Sequence, residues 1–264
     1  MTEPVSARDA ATVVPARDAP SGIEVLLLER HAASPMSPGA FAFPGGRVEA
    51  TDAAPDGERL CRGLTAAEAA ATLPDVWPPQ RALGFWIAAL REAFEEAGLL
   101  LAYDRGGSPF APDARARERL AVHRARCRKA PGAFAAMLAV ESLTLATDRM
   151  AYWAHWITPE ERPRRYDTRF FVAAAFTDAA PEPDGVEVVG WPWIAPAAAL
   201  AEQGAGRLVL PVPTQRVLAS LAPHGSVAAV LAAALGRDIR PIRPRIVRDA
   251  GRERILLPGD PGYF

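Results

Sequence analysis

Residues 80–97 are the segment that most constrains how this chain can fold. Apolar side chains recur at the spacing of one helix face, at Leu83, Ile87, Leu90 and Phe94. Gly98 follows directly, at a position where helices commonly end in the left-handed conformation. The sequence therefore predicts a helix over residues 80–97 with this apolar stripe facing the core.

The other side of the predicted helix is acidic. Glu92, Glu95 and Glu96 lie at the i, i+3, i+4 spacing that brings side chains together, and three neighbouring carboxylates repel one another. A divalent cation would relieve this repulsion, and carboxylate oxygens are the donors that Mg²⁺ and Mn²⁺ prefer. Arg91 lies one turn before Glu95 and could fix that carboxylate with a bidentate ion pair.

The acidic pattern alone leaves two interpretations open. A Glu-rich helix face is more often solvated than bound to a metal, and motifs of this kind are hypotheses until their structural context is known. The rest of the sequence has to separate a metal site from a solvated face.

Strand and helix patterns mix along the rest of the chain without strict alternation. Runs of β-branched or apolar residues predict strands at residues 11–15, 23–29, 152–158, 168–177 and 186–194, with a loose turn between the first two. Helical patterns predict a short helix near 65–72 with a Thr65–Glu68 capping box, two helices in 115–140 divided at Pro131-Gly132, and C-terminal helices near Leu200, 213–221 and 227–235. The pattern indicates an α+β or α/β sandwich, with residues 237–264 as extended chain and turns.

Composition and charge narrow the class of protein. The chain has 264 residues, is 50% hydrophobic and carries a formal net charge of −1, so no diffuse basic surface suggests a nucleic-acid partner. Cys61 and Cys127 lack CxxC spacing, and residues 1–14 lack the apolar core of a secretory signal. We expect a cytoplasmic protein with no membrane-spanning segment.

Two separated stretches resemble the Nudix box, G-x5-E-x7-R-E-U-x-E-E-x-G-U, where U is a bulky aliphatic residue. Gly46 matches its start and Asp52 replaces its first glutamate, while residues 91–99 match its end except for the small Ala93. Between Asp52 and Arg91 lie 38 residues where the pattern allows seven, so the box contains an insertion of 31.

A Nudix box interrupted in this way resembles that of a Nudix subgroup similar to the mammalian peroxisomal coenzyme A diphosphatases. Further likeness to this subgroup is found at residues 43–46, 156–159, 165–171, 210–214 and 257–260, and so covers nearly the whole chain. A coenzyme A signature of related hydrolases, L-L-T-x-R-(S/A)-x3-R-x3-G-x3-F-P-G-G, matches at Leu26, Leu27, Arg30, Gly39 and 43–46, whereas Leu28, His31 and Pro35 depart from it.

The resemblance implies a Nudix-type α/β/α sandwich with a mixed central sheet. Residues 1–9 would be a flexible N-terminus and 10–264 one domain, with a mainly helical insertion at about 53–79, an extra helical segment at about 111–140 and extra C-terminal helices. The insertion and the extra segment could cap the active site or form a homodimer interface, and the sequence leaves both alternatives open.

The resemblance also assigns residues. Arg91, Glu92, Glu95 and Glu96 would be catalytic, and the glutamates with the Gly45 carbonyl would hold Mg²⁺ or Mn²⁺, which activate water toward a pyrophosphate. Glu187 is our candidate for a further catalytic carboxylate. Substrate phosphates would meet Gly45, Gly46, Arg30, Arg165 and Arg169, although surface salt bridges are an equal alternative for the arginines.

These residues imply a hydrolase of a small nucleotide substrate. The leading hypothesis is cleavage of coenzyme A or acyl-CoA to 3′,5′-ADP and (acyl-)phosphopantetheine. A second is cleavage of another nucleoside diphosphate derivative, such as ADP-ribose or a dinucleotide. A non-catalytic module that senses a nucleotide or coenzyme A is a third, although the retained glutamates argue against it.

Overall fold

The computed structural model describes residues 5–33, 38–176, 181–182, 188–190, 192–249 and 252–263. The strands are β1 (Arg8–Ala19), β2 (Gly22–Leu26), β3 (Leu28–Arg30), β4 (Phe41–Ala42), β5 (Gly45–Arg47), β6 (Ala102–Tyr103), β7 (Thr144–Leu145), β8 (Met150–Ile157), β9 (Tyr166–Ala174), β10 (Val188–Gly190), β11 (Trp193–Ile194), β12 (Arg245–Asp249) and β13 (Arg252–Leu256). The α-helices are α1 (Ala66–Thr72), α2 (Pro79–Ala97), α3 (Ala114–Cys127), α4 (Ala133–Glu141), α5 (Pro196–Gly204), α6 (Val212–Leu221) and α7 (Val227–Ala234).

A mixed sheet built around β1 lies at the centre of the fold. Its strand order is β11-β2-β1-β9-β8, with β5 also paired to β1. Strand β1 runs parallel to β9 and antiparallel to both β2 and β5. Because residues 10–12 of β1 pair with β5, the two glycines at Gly45 and Gly46 are fixed against the middle of this sheet.

The central strands bury side chains on both faces, as their alternation requires. Phe171 and Ala173 of β9 face a core shared with α2, whereas Phe170 and Val172 face a second core shared with α5, α6 and α7. Two helical layers therefore enclose one sheet. This is the α/β/α sandwich that the sequence predicted.

Helix α2 is where the sequence prediction needs its main correction. Its bounds agree to within one residue, and Gly98 ends it with φ of 63° as predicted. The predicted division into a buried and an outward side is wrong, however, because α1, a 3-10 helix at Gly57–Leu60, α3 and α4 cover it from the other side. Only Glu92, Glu96 and a few residues of the first turn remain partly exposed.

The capped helix and the divided helical segment are confirmed. Thr65 and Glu68 form a complete capping box at the start of α1. Helices α3 and α4 are separated at Gly132, which has φ of 79°. The insertion is less helical than expected, because outside α1 and the 3-10 helix it consists of turns and extended chain.

Several strands differ from the prediction. Arg8 and Asp9, expected in a flexible N-terminus, begin β1, which continues to a tight turn at Pro20-Ser21 rather than a loose one. The strand predicted at 186–194 is divided, since β10 pairs with β3 and β11 pairs with β2. The tail contains an unpredicted hairpin of β12 and β13. Within the described residues, no helix has the length and apolar character needed to cross a membrane.

Candidate active site

The helix glutamates meet the glycine pair of β5. A side chain at Gly46 would collide with the Glu92 carboxylate, which occupies the space above the glycine backbone. The main-chain N–H of Gly45 donates a hydrogen bond of 3.1 Å to Glu96 Oε2. The carboxylates are thus held against the sheet instead of extending into solvent, and the alternative of a solvated acidic face is excluded.

Arg91 is the centre of this site. Its Nε and Nη2 bond the two oxygens of Asp52 at 3.0 and 3.1 Å, and Nη2 also donates to the Arg47 carbonyl at 2.7 Å. Its Nη1 donates to Glu92 Oε1 at 2.9 Å and more weakly to Glu95 Oε1 at 3.4 Å. The bidentate partner of Arg91 is therefore Asp52, which corrects the predicted bidentate pair with Glu95.

The Asp52–Arg91 pair rejoins the two halves of the interrupted box. Asp52 is itself fixed by the Glu49 N–H, which donates to it at 2.8 Å. Both partners are about 5% exposed, so the residues between them loop out without separating the two ends. An insertion at this point of the chain leaves the geometry of the site intact.

Burial dominates the electrostatics of the carboxylates. Burial raises the pKa of Glu92 to about 7, with the Arg91 guanidinium working against that rise and the charge of Glu95 adding to it. Burial likewise raises the pKa of Glu95, again against the effect of Arg91. Burial disfavours the charged form of Arg91, but the attraction of Glu92, Asp52 and Glu95 outweighs it and raises the arginine pKa. One guanidinium thus faces three buried carboxyl groups.

The three glutamates do not converge on one point as the helical spacing suggested. Among the described residues, no three His, Cys, Asp or Glu side chains form a group that could hold a metal ion. Glu92 and Glu95 turn toward Arg91, while Glu96 turns toward the Gly45 N–H rather than the Gly45 carbonyl. A cation would compete with these hydrogen bonds for the same oxygens.

Comparison with known proteins agrees with this geometry. A family model described as the NUDT19 Nudix domain matches residues 67–217, more than half of the chain. The human acyl-coenzyme A diphosphatase NUDT19 is 32% identical over 95% of this chain and 75% of its own length. The chicken protein of the same name is 30% identical over 73% of this chain and 62% of its own length.

The chain belongs to the NUDT19 Nudix family. A crystal structure of a Nudix hydrolase from Alicyclobacillus acidocaldarius shares the fold, with a TM-score of 0.69 and 26% identity over 86% of this chain and 96% of that one. The match spans between 62% and 75% of the length of the human and chicken relatives. Nudix hydrolases generally use divalent cations, and the present one retains the three glutamates at the end of the box, with Asp52 in place of the first.

Two other predicted site residues of this Nudix hydrolase, Arg30 and Arg165, have hydrogen-bond partners other than the helix glutamates. Arg30 lies half-buried in β3, and its main-chain N–H bonds the Ala40 carbonyl. Arg165 donates to the carbonyls of Thr158 and Val5 at 3.1 and 2.7 Å, which ties the loop before β9 to the N-terminal segment. Glu187 lies outside the described residues. The substrate contacts of Arg30 and Arg165 and the catalytic role of Glu187 stay predictions.

Arg169 is a structural residue rather than an exposed phosphate ligand. It is 2% exposed, its guanidinium pairs with Asp167 and Asp75, and it lies 5.0 Å from the centre of the Phe85 ring. Asp167 also bonds His155 at 2.6 Å. Because Asp75 belongs to the insertion, these ion pairs join the insertion to the central sheet, with the guanidinium buried and the Asp75 carboxylate exposed. The buried guanidinium is already occupied by two carboxylates, so the predicted substrate contact of Arg169 is corrected.

A cavity of about 890 Å³ lies elsewhere in this hydrolase. It is lined by the insertion, the turn after β6 and helix α4, and none of the helix glutamates contributes to it. Cys61 lies in its lining, and burial raises the pKa of this thiol to about 12, so the cysteine is inert at neutral pH. The cavity shows that the insertion and the extra helical segment pack against each other.

Sequence reasoning missed two main-chain contacts of the site. The Arg47 carbonyl accepts from Arg91, and the Glu95 carbonyl accepts from Arg124 at 2.9 Å. Neither contact has a sequence signal, because a carbonyl is present at every residue and Arg124 is one of many arginines in the chain. Only the tertiary arrangement selects them.

We expect Gly46→Ala to lower turnover far more than stability. The added methyl group would displace the Glu92 carboxylate, and misplacing a catalytic group by about 1 Å can cost roughly a hundredfold in rate. Steady-state kinetics and thermal unfolding would measure the two effects. Gly204→Ala is the matched control, because nothing lies within 4 Å of the added methyl group there. A Gly46→Ala enzyme of unchanged activity would show that Glu92 is not held by this contact.

We expect Arg169→Met to destabilise the protein by about 1–3 kcal/mol while leaving KM close to that of the natural chain, because it removes an ion-pair partner of the partly buried Asp167. Chemical denaturation would give the free energy of unfolding. Arg164→Met, at an exposed arginine in the loop before β9, is the control and should change neither the free energy of unfolding nor KM. A large rise in KM without loss of stability would restore Arg169 as a substrate ligand.

Proposed function

We propose that this Nudix hydrolase cleaves the pyrophosphate linkage of coenzyme A or acyl-CoA, giving 3′,5′-ADP and (acyl-)phosphopantetheine. The proposal is supported by its relatives named acyl-coenzyme A diphosphatase, of which the human protein is similar along nearly the whole of this chain. The coenzyme A signature at Leu26, Leu27, Arg30 and Gly39 supports the same substrate class.

The observation that carries a catalytic function is the contact between the glutamates and the glycine pair. Glu92 packs on Gly46, Glu96 accepts from Gly45, and Arg91 bonds Glu92 and Glu95. A module that only senses a nucleotide has no evident need for buried carboxylates whose pKa burial raises. The complete arrangement therefore favours an enzyme over a binding module.

The donor chemistry of the site fits Mg²⁺ or Mn²⁺. Glu92, Glu95 and Glu96 offer hard oxygen ligands, and one guanidinium leaves their combined negative charge incompletely neutralised. Such an ion neutralises the charge of a diphosphate and polarises its phosphorus atoms. We propose these three glutamates as the metal ligands, with the Gly45 carbonyl as a further donor.

We assign the remaining catalytic roles, which are positioning, proton transfer and phosphate binding, to residues of the chain. Arg91 holds Glu92 and Glu95 in place through hydrogen bonds, so that their carboxylates need little reorganisation during the reaction. A carboxylate takes the proton of the attacking water, and we assign this task to one of the helix glutamates or to Glu187. Arg30 and Arg165 are proposed to contact substrate phosphates.

One observation favours a second substrate class. Pro35 stands where the coenzyme A signature has its second arginine, which removes one phosphate contact of that signature. A nucleoside diphosphate derivative without a 3′-phosphate, such as ADP-ribose or a dinucleotide, would need fewer cationic contacts. This substrate class is the alternative to coenzyme A.

We predict that a substrate panel will show Mg²⁺- or Mn²⁺-dependent release of 3′,5′-ADP from coenzyme A and acyl-CoA. Chromatography of the products, with and without the added ion and with EDTA, would identify which bond is broken. ADP-ribose and a dinucleotide are the comparison substrates. If coenzyme A stays intact while ADP-ribose is cut, the alternative substrate class replaces the proposed one.

We predict that Glu95→Gln and Glu96→Gln each lower metal-dependent turnover by at least about a hundredfold with the fold intact, because each loses a charged oxygen at the reaction centre. Circular dichroism would check the fold. Glu118→Gln on the exposed face of α3 is the matched control and should behave like the natural chain. Unchanged turnover in both site variants would refute the assignment of the site.

The cytoplasmic location and the homodimer also stay predictions. The absence of nucleic-acid and membrane partners rests on the net charge and on sequence patterns alone.

A further inference from the structure

Arg124 is a buried arginine that contacts the catalytic helix from outside it. It lies on α3, is 8% exposed and donates from Nε to the main-chain carbonyl of Glu95 at 2.9 Å. A side chain at Gly98 would come within 3.2 Å of its Nη1, so the guanidinium also covers the end of α2. It therefore touches the turn that carries Glu95 and Glu96.

The last turn of α2 needs partners that the helix cannot supply. The final carbonyls of any helix lack intrahelical N–H donors. Here the Gly98 N–H bonds the Phe94 carbonyl and the Leu99 N–H reaches back to Ala93, whereas the Glu95 carbonyl receives Arg124. The guanidinium thus satisfies one of the last carbonyls of the helix, while the Glu182 N–H bonds that of Ala97. Its charge also suits the negative end of the helix dipole.

Helix α3 is firmly enough held to act as a support. Asp113 caps its first turn, and Arg119 forms a two-hydrogen-bond ion pair with Glu141 at the end of α4, at 2.9 and 2.8 Å. Helix α4 in turn packs its Phe134 ring 5.9 Å from that of Phe94 on α2. The extra helical segment therefore contacts α2 through two residues, Phe134 and Arg124.

We infer that Arg124 is a positioning residue of the catalytic site. By holding the Glu95 carbonyl in place, Arg124 fixes the orientation of the helix turn to which the Glu95 and Glu96 side chains are attached. This inference rests on the proposed function, because it assumes that these two carboxylates hold a divalent cation. It gives the extra helical segment a role in catalysis beyond its contribution to the core.

The test compares Arg124→Met with Arg124→Lys and with Arg126→Met, an exposed arginine in the same turn of α3. Mn²⁺ binding by electron paramagnetic resonance and hydrogen exchange at Gly98 and Leu99 need no substrate. We expect Arg124→Met to weaken Mn²⁺ binding and lower kcat by about tenfold each, as for the loss of one charge-assisted hydrogen bond. Lysine should recover part of both losses, since it keeps the charge and a donor. Arg126→Met should match the natural chain.

The sign of the Mn²⁺ result separates positioning from a simple charge effect. Removing a cation near carboxylates favours another cation, so a purely electrostatic role of Arg124 predicts tighter Mn²⁺ binding. A lower melting temperature with unchanged Mn²⁺ affinity and kcat would mean a merely structural role. Either outcome overturns the inference. If the natural chain binds Mn²⁺ but cleaves no coenzyme A, the proposed substrate fails while the Mn²⁺ and exchange measurements still decide the role of Arg124.

Discussion

The bidentate ion pair between Arg91 and Asp52 is the interaction on which the rest of the site depends. It joins two residues with 38 others between them in the sequence, and the same guanidinium holds the Arg47 carbonyl and two of the helix glutamates. Because both partners are almost fully buried, losing Arg91 would leave the Asp52 carboxylate as an uncompensated charge, at a cost of about 3–5 kcal/mol. The pair allows an insertion inside a motif that is otherwise continuous.

The glycine pair supplies the other half of the site. Backbone at Gly45 and Gly46 lies so close to β1 and to Glu92 that a larger residue would collide on either side. Pairing with residues 10–12 of β1 fixes this backbone, and α2 fixes the carboxylates. The glycine backbone and the carboxylates are therefore both held by regular secondary structure and not by a loop. The site is therefore as rigid as the sandwich that surrounds it, which favours electrostatic preorganisation.

The features of this structure that could be predicted from the sequence depend on local sequence signals. The ends of α2, the Thr65–Glu68 cap and the break at Gly132 depend on residues adjacent in sequence, and all agree with the structure. The burial of α2 beyond its apolar stripe depends on helices that pack on it from distant parts of the chain. Arg169 illustrates the same limit, since its partner Asp75 belongs to the insertion and no local pattern indicates their contact.

The packing of these additional elements on α2 sets the charge balance that the proposed cation would complete. Helix α2 is covered along most of its length, and the same cover removes water from its carboxylates, so burial raises the pKa of both Glu92 and Glu95. Arg91 offsets only part of that cost. A bound divalent ion would offset the remainder, and since it binds the folded arrangement alone, metal binding and stability should be linked. In the proposed site, the insertion and the extra helices would therefore act on catalysis through the environment of the glutamates.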